Sequence, residues 1–164
     1  MSKARFQVLL VCTGNTCRSP MAEGILKNLL KLKGVEHIEV SSAGTAGLDH
    51  FPASENAVEA AKVWDIDISG HRSRPINRWI IESADLILAM SPNHVDYILN
   101  IAPSAKNKTY LIKGFPKPFS PAQEGVRDPI GGPLELYNQT YLELDEVLRR
   151  IERDIIDLSN SSGE

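Results

Sequence analysis

The chain reads as a single α/β domain, a four-stranded parallel sheet with helices on both faces. Its 164 residues fit one domain with a sizeable core. Apolar runs alternate with helical stripes along the sequence, the pattern of strand–helix–strand units. The first run, Phe6 to Val11, is apolar on both faces, as a central strand covered from two sides must be. The domain is expected over residues 1–158, with a polar tail at 159–164 expected to be disordered.

Each element has its own signal. After the first strand, Ala22, Ile25, Leu26, Leu29 and Leu32 form a helical stripe over Met21 to Lys33, and Gly34 stops it. Ile38 to Ser42 is a short second strand, so strand, helix and strand make a right-handed crossover. Gly44 to Pro52 is a loop after that strand's C-terminal end, where open α/β sheets bind ligands, and is a candidate pocket wall. Ser54 caps a helix to Trp64, with Val58, Ala61 and Trp64 on its inner side. Ser69 to Pro75 is polar and turn-rich, and Ile76 to Ser83 is a short helix. Asp85 to Met90 is a third buried strand, and Ser91-Pro92 opens a helix to Ile101. Thr109 to Ile112 is the fourth strand, ended by Gly114. Phe115 to Pro133, rich in Pro and Gly, is a long loop of the kind that is usually functional. From Leu134 onward Tyr137, Tyr141, Leu144, Leu148, Ile151, Ile155 and Leu158 step by four and three. That stripe fits packing on the sheet better than a coiled coil, because it spans only about three heptads.

The join between the first strand and the first helix carries the chemistry. It reads Cys12-Thr13-Gly14-Asn15-Thr16-Cys17-Arg18-Ser19-Pro20. A loop this short, closed by a helix, can curl its N–H groups inward, and helix N-termini bind anions because their first donors lack partners. Gly14 and Asn15 tolerate the positive φ such a curl needs. Arg18 supplies a planar fork that can grip two phosphate oxygens. Cys12 then lies at the floor of a positive cradle, which favours the nucleophilic thiolate. Ser19 could donate a hydrogen bond to that sulfur and ease its departure from phosphorus, and Pro20 suits the first helical position. The plainer alternative is a buried structural cysteine in an ordinary turn.

Net charge is −3 and 42% of residues are hydrophobic, with no basic excess to suggest nucleic-acid binding. No apolar stretch approaches the roughly 20 residues of a membrane span, and Thr13-Gly14-Asn15 cuts the first apolar run too short for a signal peptide. A cytoplasmic location is therefore expected. The two cysteines, Cys12 and Cys17, cannot staple the domain, because so small a ring constrains little. No Cys-x-x-Cys occurs and His37, His50, His71 and His94 are scattered, so neither metal nor other cofactor is expected. Cys17 either packs beneath the loop or bridges reversibly with Cys12 under oxidation, shielding it from overoxidation.

The string Val11-Cys12-Thr13-Gly14-Asn15-Thr16-Cys17-Arg18-Ser19-Pro20-Met21-Ala22-Glu23 resembles the low-molecular-weight protein tyrosine phosphatase family. Ser41-Ser42-Ala43-Gly44, Ser83 to Met90 and Asp128-Pro129 look like further landmarks in family order, so the likeness covers nearly the whole chain. It implies that family's Rossmann/flavodoxin-like fold, with Cys12 as nucleophile, Arg18 as phosphate clamp and Asp128 as general acid. Thr13, Gly14, Asn15, Thr16, Cys17 and Ser19 would line the phosphate site, and Asn15, Ser19, Ser42 and His71 would form its polar support. On sequence alone His71 could be a surface or capping histidine, and Asp128-Pro129 a plain turn stiffened by its proline. Glu124 is the nearby competitor to Asp128 as acid. The family often places an acidic residue just after the Met at the third strand's end. This chain has Ser91 there, so a tie to the active loop is expected to be absent or altered.

The implied partner is a phosphorylated protein or peptide, with inorganic phosphate as product and a monomer or weak dimer as the working form. Tyrosine-specific relatives usually carry a bulky aliphatic residue where Thr16 sits, and often aromatic residues after the Asp-Pro. Thr16 and Asp128-Pro129-Ile130-Gly131-Gly132 look instead like the bacterial protein arginine phosphatase branch. A threonine hydroxyl can meet a guanidinium, whereas an aliphatic branch suits an aromatic ring, so phosphoarginine is favoured over phosphotyrosine. Thiol-dependent arsenate reductases share the cysteine loop but relay electrons through further downstream cysteines, which this chain lacks. A non-catalytic phospho-residue-binding module would not need Cys12, Arg18 and Asp128 together.

Overall fold

The computed structural model describes residues 5–162. Four parallel strands, β1 (Phe6–Cys12), β2 (Ile38–Gly44), β3 (Leu86–Ala89) and β4 (Thr109–Leu111), form one sheet in the order β2-β1-β3-β4. β1 is central and packed against a core on each of its two faces, which is why its sequence is mostly apolar without alternation. Helices α1 (Arg18–Leu32), α2 (Glu55–Lys62) and α5 (Leu134–Ser161) cover one face. Helices α3 (Arg78–Ser83) and α4 (Pro92–Ile101) cover the other. Along β1, Val8, Leu10 and Cys12 join the first core, and Leu9 and Val11 the second.

The strand order sets the functional edge. From β1 the chain crosses to β2 on one side, and from β3 to β4 on the other. The loops leaving the C-terminal ends of β1 and β3 therefore flank the point where the winding reverses, the place where such sheets hold ligands. The loop after β1 is the Cys12–Arg18 segment; the loop after β3 leads into α4 through Ser91.

α5 lays its stripe against α1 and α2 above the sheet. Leu144, Leu148, Ile151 and Ile155 are fully buried, and truncating one of them to Ala would cost about 2–5 kcal/mol. Lys33 pairs with Glu152 at 2.5 Å at the far end. Among the described residues no helix is long and apolar enough to cross a membrane.

Several details depart from the sequence reading. α1 begins at Arg18, so Pro20 is its third residue. The N–H at that position also lacks an intrahelical acceptor, so the proline is tolerated. Leu32 ends α1 at 73% exposure rather than on the buried stripe. Trp64 lies past the end of α2, more than half exposed, and stacks on Tyr141 with centroids 6.2 Å apart. α3 starts two residues later than Ile76, because Asn77 accepts the Ile80 N–H at 2.8 Å and caps it. A 3₁₀ turn, Pro103–Lys108, precedes β4; it is too short to leave a periodic signal. Residues 159–161, expected in the tail, belong to α5: Ser159 is buried, and its hydroxyl meets His37 Nε2 at 2.8 Å. Residues 163–164 of that tail lie outside the described residues.

Candidate active site

The loop after β1 curls around Cys12. The Asn15 N–H donates to Cys12 Sγ at 3.3 Å, and Ser19 Oγ lies 2.9 Å from the same sulfur. The sulfur thus faces the interior of the curl, with Cys12 2% exposed. The N–H groups of Gly14, Thr16 and Cys17 find no acceptor among the described residues. The first turn of α1 has no side-chain cap. Donors left open at a helix N-terminus are what an oxyanion needs.

The curl turns on Asn15, at φ 56°. Asparagine is among the few residues that visit this region readily, and here every polar group of it is engaged. Its Nδ2 donates to Ser19 Oγ at 2.8 Å and Ser42 Oγ at 2.9 Å. Its Oδ1 accepts the Arg74 N–H at 3.0 Å, and His71 Nε2 lies 2.7 Å from its carbonyl oxygen. Ser42 in turn donates to Glu23 Oε1 at 2.5 Å. No buried side-chain nitrogen or oxygen lacks a partner among the described residues. Leaving one of these groups unpaired would cost about 1–3 kcal/mol. Gly14 does not adopt positive φ, contrary to the sequence reading. Its missing side chain serves close approach instead: a Cβ there would lie 3.3 Å from Thr16 Oγ1 and 3.6 Å from Leu48 Cδ1. Leu48 belongs to the loop that follows β2, which places that loop beside Gly14. Gly44 matters more, since a Cβ there would meet the Thr13 carbonyl at 2.6 Å.

Arg18 forms the other side of the bowl. It is 3% exposed and braced at each nitrogen tip. Nη1 donates to Ser91 Oγ at 2.8 Å and the Val126 carbonyl at 3.0 Å. Nη2 donates to Thr13 Oγ1 at 3.3 Å and pairs with Asp128 Oδ2 at 3.4 Å. The long loop therefore delivers Asp128 to Arg18, with its side chain 39% exposed and Oδ1 accepting the Ile130 N–H at 3.1 Å. Glu124 lines a separate groove with Lys113 and Arg150. The tie expected to be absent or altered at Ser91 is present in altered form: a hydroxyl, not a carboxylate, receives the guanidinium.

A second contact crosses from α4. His94 is fully buried. Its Nδ1 accepts the Ser91 N–H at 3.1 Å, and its Nε2 lies 2.8 Å from Thr13 Oγ1. Burial first, and then the nearby Arg18 charge, lower its pKa from 6.5 to about 4, so the ring is neutral near pH 7. Cys17 points beneath the loop, with Ser54 Oγ at 3.4 Å and its thiol donating to the Tyr137 hydroxyl at 3.7 Å. Burial first, then Cys17, raises the Tyr137 phenol above its ordinary value. Both cysteines are free thiols. Thr16 is half-buried, with its Oγ1 3.8 Å from Cys17 Sγ, and its carbonyl accepts the Ser54 N–H at 2.8 Å.

The structure thus gathers Cys12, Asn15, Arg18, Ser19, Ser42, His71 and Asp128 at one place. It adds Glu23, Arg74 and His94, which sequence reasoning does not assign, and gives the Thr13 hydroxyl and Ser91 specific partners. Only the Ser91–His94 spacing, which matches the reciprocal bonds of a helix N-terminus, offers a signal. Such a bowl can hold a tetrahedral oxyanion over a sulfur, with a carboxylate at its rim.

Comparison with known proteins gives a concordant picture. The family model described as "Low molecular weight phosphotyrosine protein phosphatase" matches residues 7–161. A protein-arginine-phosphatase of Bacillus subtilis is 36% identical over 148 residues, 90% of this chain and 95% of that protein. The low molecular weight protein-tyrosine-phosphatase Etp of Escherichia coli is 34% identical over 148 residues, 86% of this chain and 96% of that protein. The solved YwlE arginine phosphatase of Geobacillus stearothermophilus superposes with a TM-score of 0.82 at 36% identity, covering 93% of this chain and 94% of that one.

Proposed function

The chain belongs to the low molecular weight phosphotyrosine protein phosphatase family, and from that premise we propose a two-step hydrolysis of a phosphorylated protein side chain with phosphoarginine as the preferred substrate. Cys12 Sγ attacks phosphorus in line while Arg18 and the open loop amides hold the equatorial oxygens. Asp128 protonates the departing nitrogen or oxygen. Water then attacks the phospho-cysteine, Asp128 takes its proton, Ser19 stabilises the departing thiolate, and inorganic phosphate leaves. The cradle stabilises charge where it develops, which is usually the main source of an enzyme's rate enhancement, and acid assistance adds about 10²–10⁴-fold. Cys17, on the underside of the same loop, is the partner we assign to Cys12 under oxidation. The enzyme works in the cytoplasm as a monomer or weak dimer.

Thr16 carries the substrate assignment. It stands half-buried beside the bowl, where a hydroxyl can accept from a guanidinium. Beyond Asp128-Pro129, an exposed Ile130 and two glycines leave no aromatic wall for a phenyl ring. The similarity to arginine phosphatases supports the same choice, and the similarity to Etp keeps phosphotyrosine as the second reading. The test is kinetics on matched phosphoarginine and phosphotyrosine peptides with Cys12→Ser as blank. The wild type is expected to prefer phosphoarginine, and Thr16→Ile to move preference toward phosphotyrosine. An unchanged ratio in the variant would remove Thr16 from the assignment.

A further inference from the structure

We propose that His94 is a positioning residue that aims the Thr13 hydroxyl proton at the bound phosphoryl group, making Thr13 a side-chain donor to substrate. The inference rests on the phosphatase reading above and follows from counting donors. A backbone N–H can only donate, so His94 Nδ1, 3.1 Å from the Ser91 nitrogen, is the acceptor of that bond. The neutral ring then carries its proton on Nε2 and donates it to Thr13 Oγ1 at 2.8 Å. Arg18 Nη2 donates to the same oxygen at 3.3 Å. A hydroxyl has two acceptor sites and one proton, and both acceptor sites are now taken. The Thr13 proton has to find its own acceptor.

Geometry says where. Thr13 follows Cys12 and is exposed at the mouth of the bowl. Its oxygen is bonded to the same Arg18 nitrogen that faces Asp128. An oxygen of the transferring group held by Arg18 therefore lies next to an O–H whose lone pairs are engaged. Two donors on the oxygen also polarise the O–H, strengthening the bond it gives. His94 touches no substrate; it acts through Thr13. Its burial keeps water from competing for Nε2 and keeps one tautomer in place.

The experiment compares Thr13→Val, which keeps the shape and removes the hydroxyl, with Thr13→Ser, which restores it. The readouts are kcat/KM on a phosphopeptide, the inhibition constant of vanadate, and Tm. Thr13→Val is expected to lose about 10- to 100-fold in kcat/KM and in vanadate affinity, as for a hydrogen bond to a charged group, with Tm lowered by roughly a few degrees because the buried His94 Nε2–H loses its acceptor. Thr13→Ser should recover most of both. His94→Leu should weaken vanadate binding as Thr13→Val does and add nothing in the double variant. His94→Gln, whose amide can still donate, should rescue it. Nitrogen NMR of the wild-type ring should show the proton on Nε2, a measurement that stands even if His94→Leu fails to fold. A proton on Nδ1, losses that multiply in the double variant, or Thr13→Val within about twofold of wild type in both kinetic readouts would each overturn the assignment. A wild type that turns over no phosphopeptide would instead overturn the phosphatase reading itself, and this inference with it.

Discussion

Two strand-to-helix joins stand side by side at the winding reversal of the sheet, and their sequences look alike. In each, a buried apolar strand gives way to Ser-Pro and a helix: Ser19-Pro20 after β1, Ser91-Pro92 after β3. They end up chemically opposite. After β1, five residues intervene between Cys12 and Arg18, Asn15 takes positive φ, and α1 starts with no side-chain cap. After β3 the helix starts almost at once, and His94 reaches back to the N-cap N–H. The first join leaves its donors open; the second closes a donor on itself and lends its side chains outward, Ser91 to Arg18 and His94 to Thr13. A helix N-terminus becomes an anion site only if its own chain leaves it uncapped, and a capped neighbour is free to act as a brace.

The contrast can be broken most severely at Cys12. Cys12→Ser should lower turnover at least about 10⁴-fold while leaving the fold intact and the bowl able to bind phosphate, read by single-turnover kinetics and calorimetry with inorganic phosphate. Next is Asp128→Asn, expected to cost about 10²–10⁴-fold in kcat on poor leaving groups and much less on p-nitrophenyl phosphate, because a good leaving group needs little protonation. A pH series then isolates the bracing join. His94 is held to about 4 in the fold against 6.5 unfolded, so the unfolded chain binds the extra proton first. The contribution is fully present above 6.5 and is lost as pH falls toward about 4, worth about 3 kcal/mol in total. Chemical denaturation of the wild type and of His94→Gln across that window should show the variant losing less. Smallest is Ser91→Ala, which frees one guanidinium tip that still has the Val126 carbonyl; about a 10-fold fall in kcat/KM with little change in Tm is expected.

The first join is legible in the sequence because its signals are local. A strand, a glycine, an asparagine, a cysteine and an arginine fall close together, and each has a physical reason to be there. The sheet is legible for a similar reason, since its strands are short apolar runs bounded by turn residues. The brace is not. Ser91 and His94 lie 73 and 81 residues from the groups they hold, Arg18 and Thr13, and no local period announces that pairing. In the sequence His94 is one of four scattered histidines, and only the folded chain brings it the Ser91 N–H and the burial that fix its tautomer. Trp64 misleads because helical spacing places it inward, whereas α2 ends at Lys62 before reaching it.

Gly44 limits how far the phosphate loop can travel from this scaffold. It lies on β2, outside the loop, yet its bare backbone is what the Thr13 carbonyl closes upon, while Ser42 two residues earlier anchors Asn15. Grafting Cys12 through Arg18 onto another strand-to-helix turn would carry the letters but not their mould. A portable version of the loop has to include at least a piece of the neighbouring strand, and a portable catalyst must add the segments that carry Ser91 and Asp128 to Arg18.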